Sequence, residues 1–309
     1  MPARILLGPQ SPTSNLRQAA DAIGAEGPAI VITAGWRDSE GEIEDLRERL
    51  GRPLEDLKIY QRAEAVFAAE PTLRELKRER QDKLRKLQEL YRLRLRPTLQ
   101  AARKLMRTEA DPDLLQVEQR AAIAQVRALD RHHLRRIQSI HKEFNQRRSR
   151  LDLPRATAER DDIQAQIAGA ALVLIAGGHV AVLLNRMRLF QLTEVLARKP
   201  LIAWSAGAMA LSERVVLFHD HAPQGRRDAE LLDTGLGIVR QRIFLPHART
   251  RLDWKNTRRM ALLSRRFAPA ACCTLDSGSM LRFEDDRLVD AHGSVQVTSQ
   301  GRRQPVKPS

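Results

Sequence analysis

The residue best suited to covalent chemistry is a serine flanked by small side chains. Ser205 follows the apolar run Leu201–Trp204 and precedes a helical segment that begins with Ala206–Ala208. An apolar strand, a serine and a helix in this order indicate a nucleophile elbow, in which small neighbours permit the strained turn that exposes the hydroxyl. Ala203 stands where the usual pattern has glycine, which is conformationally freer. The alternative is an ordinary strand-to-helix turn with Ser205 as its N-cap.

Two glycines and a histidine lie where the partners of such a serine are expected. The apolar run Val173–Ala176 ends in Gly177 and Gly178, whose N–H groups can approach an oxyanion closely because no Cβ intervenes. His247 directly follows the apolar run Ile243–Pro246, where we expect a general base for the serine. Taken singly, the glycines would indicate a turn and the histidine a solvated polar residue. Their combination favours a catalytic site.

A second group of titratable residues raises the question of a metal. His219 and His221 flank Asp220, and together with His247 or His179 they could bind Zn²⁺. Histidines in such a loop are more often solvated, and the number of ligands is not compelling. We therefore expect no metal and no cofactor.

The flanks of the chain have the pattern of an α/β protein. Apolar runs that alternate with amphipathic segments predict a parallel sheet covered on both faces. The predicted strands are Arg4–Gly8, Ala29–Thr33, Ala171–Ala176, Pro200–Ser205, Arg214–Phe218, Ile243–Pro246 and Ala270–Leu275. The predicted helices are Glu42–Leu50, Arg160–Ile167, Leu189–Ala197 and Trp254–Phe267. Short antiparallel strands are expected after Leu275, followed by a disordered basic tail over residues 301–309.

The middle of the chain differs from the flanks. Residues 71–150 contain 22 Lys and Arg against 10 Asp and Glu, so they carry +12 of the net charge of +15. Their strong helix formers and helical apolar spacing predict a long coiled-coil-like hairpin, with Asp111 as an N-cap and a kink or break at Pro97. The predicted organisation is an α/β domain formed by residues 1–70 and 152–300, with residues 71–151 inserted as a helical arm.

The basic arm admits several functions. Self-association into a homo-oligomer or docking of a partner is one interpretation, and nucleic-acid binding through residues 71–150 is another. Tyr91 and Phe144 are its only aromatic residues, so it offers no platform for stacking single-stranded bases. Gating of the active site, or recognition of an acidic peptide substrate, are further interpretations.

Composition excludes some classes of protein. Charged residues make up 29% and hydrophobic residues 42% of the 309-residue chain, which is typical of a globular protein. The best apolar run, Ile167–Ile175, is far shorter than the roughly 20 residues that span a bilayer. We expect no membrane association, and the lack of a signal sequence together with the neighbouring Cys272 and Cys273 as free thiols predicts a cytoplasmic protein.

Four motifs in order resemble a known family: 176–179 (Ala-Gly-Gly-His), 204–208 (Trp-Ser-Ala-Gly-Ala), 235–237 (Gly-Leu-Gly) leading to His247, and 275–278 (Leu-Asp-Ser-Gly). They are similar to the serine peptidases that include peptidase E (aspartyl dipeptidase) and cyanophycinase. The resemblance implies a class I glutamine amidotransferase-like fold, a three-layer α/β structure with a mostly parallel sheet, here interrupted by the helical hairpin.

The resemblance also implies roles for individual residues. Ser205 matches the nucleophile and His247 the base, while Gly178, with Gly177 beside it, and the amide of Ala206 match the oxyanion hole.

For the third catalytic group the resemblance suggests two carboxylates. Asp220 lies fifteen positions after the serine, and Asp276 lies beside Ser277, where the family usually has glutamate. His179 occupies a substrate-pocket position that is typically Asn or Asp. Because family members favour an aspartyl residue on the acyl side, Arg249 and Arg251 become candidates for binding its carboxylate.

These observations predict a serine hydrolase that cleaves peptide bonds through an acyl-enzyme. Glutamine amidotransferase activity is not expected, because those domains use cysteine where this chain has Ser205. The alternative is a non-catalytic scaffold of the same fold, whose basic arm mediates oligomerisation or nucleic-acid binding.

Overall fold

The computed structural model describes residues 2–220 and 227–308. Its strands are β1 Ala3–Leu7, β2 Ala29–Ile32, β3 Leu54–Asp56, β4 Leu172–Ile175, β5 Leu201–Trp204, β6 Arg214–His219, β7 Arg227–Thr234, β8 Arg242–Pro246, β9 Ala271–Leu275, β10 Met280–Glu284, β11 Arg287–His292, β12 Val295–Val297 and β13 Arg303–Pro305. Its α-helices are α1 Leu16–Ile23, α2 Glu44–Leu50, α3 Ile59–Ala69, α4 Pro71–Leu105, α5 Pro112–Arg148, α6 Pro154–Gly169, α7 Val180–Leu189, α8 Thr193–Ala197, α9 Ala206–Leu211, α10 Ala248–Arg251 and α11 Thr257–Phe267, and a 3₁₀ helix spans Ala34–Ser39.

A seven-stranded, mostly parallel sheet forms the centre of the mixed α/β fold. Its strand order is β11-β10-β1-β5-β4-β2-β3, in which β10 is antiparallel to both of its neighbours, β1 and β11. The central strands are continuous apolar runs because alternate residues face two separate cores. One core contains apolar residues of α1 and α2, and the other contains those of α3, α6 and α7. Helices therefore cover both faces of the sheet.

The later strands depart from the single sheet that the sequence predicted. β8 and β9 are parallel to each other, but they belong to a second sheet with the order β13-β12-β9-β8, and β6 pairs with β7 in a separate ribbon. The prediction of a disordered tail is also wrong, because Arg303–Pro305 pairs with β12 and Val306 is buried. One apolar side chain and a short ladder are sufficient to order this segment.

The hairpin helices are long and uninterrupted. α5 begins after Asp111, whose Oδ1 accepts the N–H groups of Asp113 and Leu114 at 3.0 and 3.3 Å. The sequence predicts a kink or break at Pro97. The helix does not end there, because α4 runs through Pro97 to Leu105. The buried Leu95 and Leu99 on either side of the proline hold the helix in its packing site.

The predicted helical arm is a hairpin that packs against the α/β body. Tyr91 and Leu95 of α4 and Val126 of α5 belong to the same apolar cluster as Phe218 of β6 and Phe267 of α11. The apolar stripe that the sequence showed is thus covered by the body of the same chain.

A buried ion pair joins α5 to α11 inside this cluster. The Asp130 carboxylate accepts hydrogen bonds from the Arg266 guanidinium at 2.7 and 2.8 Å and from the Tyr91 hydroxyl at 2.8 Å. A further guanidinium N–H donates to the Ala229 carbonyl at 2.6 Å. Because Arg266 is only 3% exposed, losing its counter-charge would leave a cation in an apolar interior.

We predict that Asp130→Asn lowers the free energy of unfolding by about 3 kcal/mol, because Arg266 is left buried without a counter-charge. Urea denaturation of the intact chain measures this change. The matched control is Glu79→Gln, which breaks the exposed pair with Arg147 on the same hairpin and should leave the unfolding midpoint almost unchanged. Equal effects of the two substitutions would contradict the role of Asp130 in joining hairpin and body.

Candidate active site

The carboxyl ends of three parallel strands bring the candidate residues together. Leu7 of β1 is paired with Trp204 of β5, and Ile175 of β4 with Ala203 of β5. Continuing this register past the strand ends places Ser205 between the residues that follow β1 and β4. Its neighbour on the β4 side is Gly177, where an added Cβ would lie 3.1 Å from the Ser205 Cβ.

Ser205 has the backbone conformation of a nucleophile elbow. Its φ of 49° and ψ of −114° are uncommon for a residue with a side chain. Its N–H donates to the Leu7 carbonyl at 3.2 Å, which ties the turn to β1. At Gly207 a Cβ would meet the Ile175 carbonyl oxygen at 2.3 Å, so only glycine allows α9 to start this close to β4.

A glycine turn forms the adjacent wall of the site. Gly178 has a φ of 101°, and a Cβ there would lie 2.5 Å from the Gly35 carbonyl oxygen. The same oxygen accepts the N–H of His179 at 2.8 Å. Sequence reasoning missed Gly35 and the 3₁₀ helix that contains it. The signal was available, since β2 ends beside β4 and its following residues must reach the same edge of the sheet.

His247 and Asp276 are brought together by the second sheet. Pro246 of β8 is paired with Leu275 of β9, so the residues that follow these strands lie side by side. The His247 N–H donates to the Leu275 carbonyl at 3.1 Å. Burial lowers the pKa of His247 below its usual value, the charge of Arg251 lowers it further, and the carboxylate of Asp276 raises it. A neutral imidazole near pH 7 follows from this balance.

Ser205 and His247 line one cleft of about 780 Å³. Its wall also includes Gly177, Gly178, His179, Ala206 and Arg251. Among the described residues, Asp220, Asp276 and Arg249 are not part of that lining. The Oδ1 of Asp276 accepts the Arg249 N–H at 2.9 Å.

The structure gives Asp220 other partners than His247. Its carboxylate is buried, accepts from the Arg259 guanidinium, and accepts the Asp253 N–H at 3.0 Å. Its own N–H donates to the Arg251 carbonyl at 2.8 Å. These contacts hold Asp220 in place at the end of β6, and the acidic residue that influences His247 is Asp276.

Two arginines that follow His247 point in different directions. The Arg249 side chain is 76% exposed and its Nε lies 3.9 Å from Asp276. Arg251 is half-buried and lines the cleft. Residues two apart on a helical turn do not share a face, so only one of the pair can reach the cleft. The sequence could not show which one.

His179 lies at the start of α7. Its Nδ1 accepts the Val182 N–H at 3.3 Å, so the ring caps the helix. Burial, followed by the charge of Arg37, lowers the pKa of His179. With Nδ1 acting as an acceptor, the proton of the neutral ring is on Nε2.

Other chemistry considered for this chain has less support. Within residues 2–220 and 227–308, no three His, Cys, Asp or Glu side chains are grouped as metal ligands would be; His221 lies outside the described residues. Burial raises the pKa of Cys272 to about 12 and that of Cys273 to about 11, which disfavours the thiolate.

None of the helices in the described part of the chain has the length and apolar character of a membrane span.

A mixed α/β fold that presents an elbow serine and a histidine in one cleft is typical of a hydrolase. Residues 123–290 match the model of peptidase family S51. This match covers more than half of the chain, so the chain belongs to peptidase family S51, the family of the peptidase E and cyanophycinase type, and is a hydrolase of the peptidase class.

Two further comparisons complete the findings. The chain is similar to a crystal structure of a peptidase from an acI-B1 Actinobacterium, with 14% sequence identity and a TM-score of 0.48 over 99% of this chain and 94% of that chain. A search among curated proteins found no match.

We predict opposite shifts of the His247 pKa in two variants. Arg251→Gln removes a positive charge that disfavours the imidazolium, so the pKa should rise. Asp276→Asn removes the negative charge that favours it, so the pKa should fall. An NMR titration of ¹³C-labelled histidine measures both shifts, with His247→Gln used to assign the signal. A His247 pKa unchanged in both variants would contradict the described arrangement.

Proposed function

We propose that this chain is a serine peptidase that acts through an acyl-enzyme. The observation that carries the proposal is the presence of Ser205, on a strained elbow, and His247 in one cleft. In this mechanism the Ser205 hydroxyl attacks the carbonyl carbon of the peptide bond while His247 accepts its proton. His247 then donates this proton to the leaving amine, and water hydrolyses the acyl-enzyme with His247 again acting as the base.

The electrostatics of the cleft support these roles. A lowered pKa keeps His247 neutral near pH 7, which is the form that accepts a proton. Ala206 is the first residue of α9, so its N–H has no acceptor within that helix. This amide and that of Gly178 are our candidates for the donors that stabilise the tetrahedral oxyanion.

Asp276 is our candidate for the third catalytic group. Its place beside His247 at the paired strand ends would let it hold the imidazole and stabilise the imidazolium. Asp220 is not retained in this role, because Arg259 and Asp253 occupy its carboxylate.

We also propose that the chain has the class I glutamine amidotransferase-like fold. Within this fold, a serine nucleophile distinguishes peptidases from the glutaminase domains, which use cysteine. The elbow position holds serine, and both cysteines are buried on β9. An ester intermediate, rather than a thioester, is therefore the expected covalent species.

For the substrate we propose a short peptide with an acidic residue on the acyl side of the cleaved bond, as for a dipeptidase. Arg251 supports this, because its guanidinium is half-buried in the cleft and has no carboxylate partner among the described residues. A buried cation without a counter-ion favours an anionic ligand.

We predict that a fluorophosphonate probe labels the wild-type chain and that Ser205→Ala abolishes the labelling, because the probe reacts with an activated serine. Mass spectrometry of the labelled peptide identifies the modified residue. Ser277→Ala is the matched control, since Ser277 is exposed beside the site and should leave labelling unchanged. Folded wild-type protein that does not label would support the non-catalytic scaffold instead.

We predict that Asp276→Asn lowers kcat by roughly a hundredfold or more through the loss of the group that orients His247. Asp220→Asn is the control, because it breaks a buried pair with Arg259 and should reduce stability more than the rate per folded molecule. Active-site titration combined with steady-state kinetics separates the two effects. A larger kcat loss for Asp220→Asn would reverse the assignment.

We predict that Arg251→Gln lowers kcat/KM for a peptide with an acyl-side Asp by about tenfold or more, through the loss of a charge-assisted hydrogen bond. The matching Asn peptide should lose little. Arg249→Gln serves as the control variant, and assays at pH 8 keep His247 neutral in every protein. Equal losses on both peptides would exclude Arg251 as the carboxylate-binding residue.

A further inference from the structure

A second large cavity lies where the hairpin meets α6, α7 and the end of β7. Its volume is about 1110 Å³, and it shares no lining residue with the candidate cleft. Its charged lining consists of Arg80, Lys142, Arg148, Arg160, Arg188 and Glu194. The two cavities are at opposite ends of α7, because His179 caps the start of that helix and Arg188 lies in its last turn.

Two of these cations are buried and have no carboxylate in ion-pair contact among the described residues. Arg80 and Arg148 are only 7% and 8% exposed. Arg80 donates to the neutral Asn185 amide oxygen at 2.8 Å, and its Nε has no acceptor. Within the described part of the chain, no carboxylate forms an ion pair with either guanidinium. Burying a charge in this way is costly unless a partner neutralises it.

The surrounding charges increase this cost. Burial, together with the neighbouring Arg188 and Arg148, lowers the pKa of Arg80 to about 10, yet the side chain stays cationic at neutral pH. Arg188 is neutralised by Asp233 at 2.8 Å. Asp233 also acts favourably on Arg80, and Glu70 acts favourably on Arg148, but neither carboxylate forms an ion pair with these two guanidinium groups. Arg80 and Arg148 are therefore the buried cations of the cavity that lack a directly paired counter-charge.

We propose that this cavity binds a small multivalent oxyanion of the phosphate class. Guanidinium groups present several N–H donors in a fixed plane that matches phosphate or carboxylate oxygens. The volume of about 1110 Å³ is slightly above the range of ordinary ligand pockets, about 300–1,000 Å³. A compact ligand fits better than a nucleic acid, because Arg80 and Arg148 are too buried to contact the phosphates of a rigid duplex.

The test measures binding of tripolyphosphate to the full chain by calorimetry and by thermal unfolding. Wild-type protein should bind tripolyphosphate more tightly than inorganic phosphate and should be stabilised by it. Arg148→Met should weaken binding at least about tenfold. The same substitution should raise the Tm of the free protein, by about 2–4 °C, because an unpaired buried charge is replaced by an apolar side chain of similar length.

Two more variants keep the test independent of folding. Lys142→Gln changes an exposed residue of the cavity and should weaken binding and reduce its salt dependence without changing the Tm of the free protein. Arg85→Gln is the matched control, since this side chain is on the same hairpin, is 72% exposed and lies outside the cavity. It should bind tripolyphosphate like the wild type.

The remaining outcomes decide the ligand chemistry. Citrate that binds as tightly as tripolyphosphate would change the class from phosphates to polycarboxylates and overturn the phosphate assignment. If Arg148→Met lowers the Tm of the free protein and leaves binding of tripolyphosphate intact, Arg148 is a structural residue and its assigned role in binding is wrong. Random-sequence duplex DNA tests for a diffuse basic surface. If it binds the wild-type protein, and if Arg85→Gln and Lys142→Gln weaken this binding equally, the proposal fails.

Discussion

The strained backbone of Ser205 is the constraint around which the candidate site is organised. A φ of 49° with a ψ of −114° costs about 1–3 kcal/mol for a residue with a side chain, so the surrounding structure must hold it. β1 does so through the hydrogen bond from Ser205 to Leu7, and β4 does so by lying so close that only glycine fits at position 207. Both strands are in the centre of the sheet and are almost entirely buried, so the turn is held by the core of the fold.

His247 depends on a different part of the molecule. It follows β8, whose Phe244 faces the core of the central sheet while Ile243 and Leu245 face the cluster shared with the hairpin. β8 is therefore packed between the body and the hairpin. The distance between Ser205 and His247 consequently depends on two cores, that of the central sheet and the cluster shared with the hairpin. The Asp130–Arg266 pair belongs to the cluster shared with the hairpin. The inserted hairpin therefore helps to hold β8 and His247 in position, although it contributes no residue to the lining of the cleft.

Sequence patterns predict some of this arrangement, and the reason is geometric. Parallel strands that end together must present their following residues at one edge, so the proximity of Ser205 to the Gly177 turn follows from apolar runs alone. The different surroundings of Asp220 and Asp276 do not follow, because they depend on β9 pairing with β8 and on Arg259 pairing with Asp220. Likewise, an amphipathic stripe predicts that one face of the hairpin is buried, but it contains no information on what covers that face.

Net charge shows the same limit, because the excess of +12 on residues 71–150 does not reveal which cations are paired, which are exposed and which are buried. Some cations form exposed pairs along a helix, as Arg85 does with Asp82. Others reach across to acids of β7, as Arg92 does with Glu230 at 2.7 Å, and these pairs help to fix the hairpin to the ribbon. A further group, represented by Arg148, is buried and forms no ion pair within the described residues. A segment that is basic in sequence therefore combines cations that already have acidic partners with a cavity that holds buried arginines outside ion pairs, and an anionic ligand would gain binding energy at that cavity.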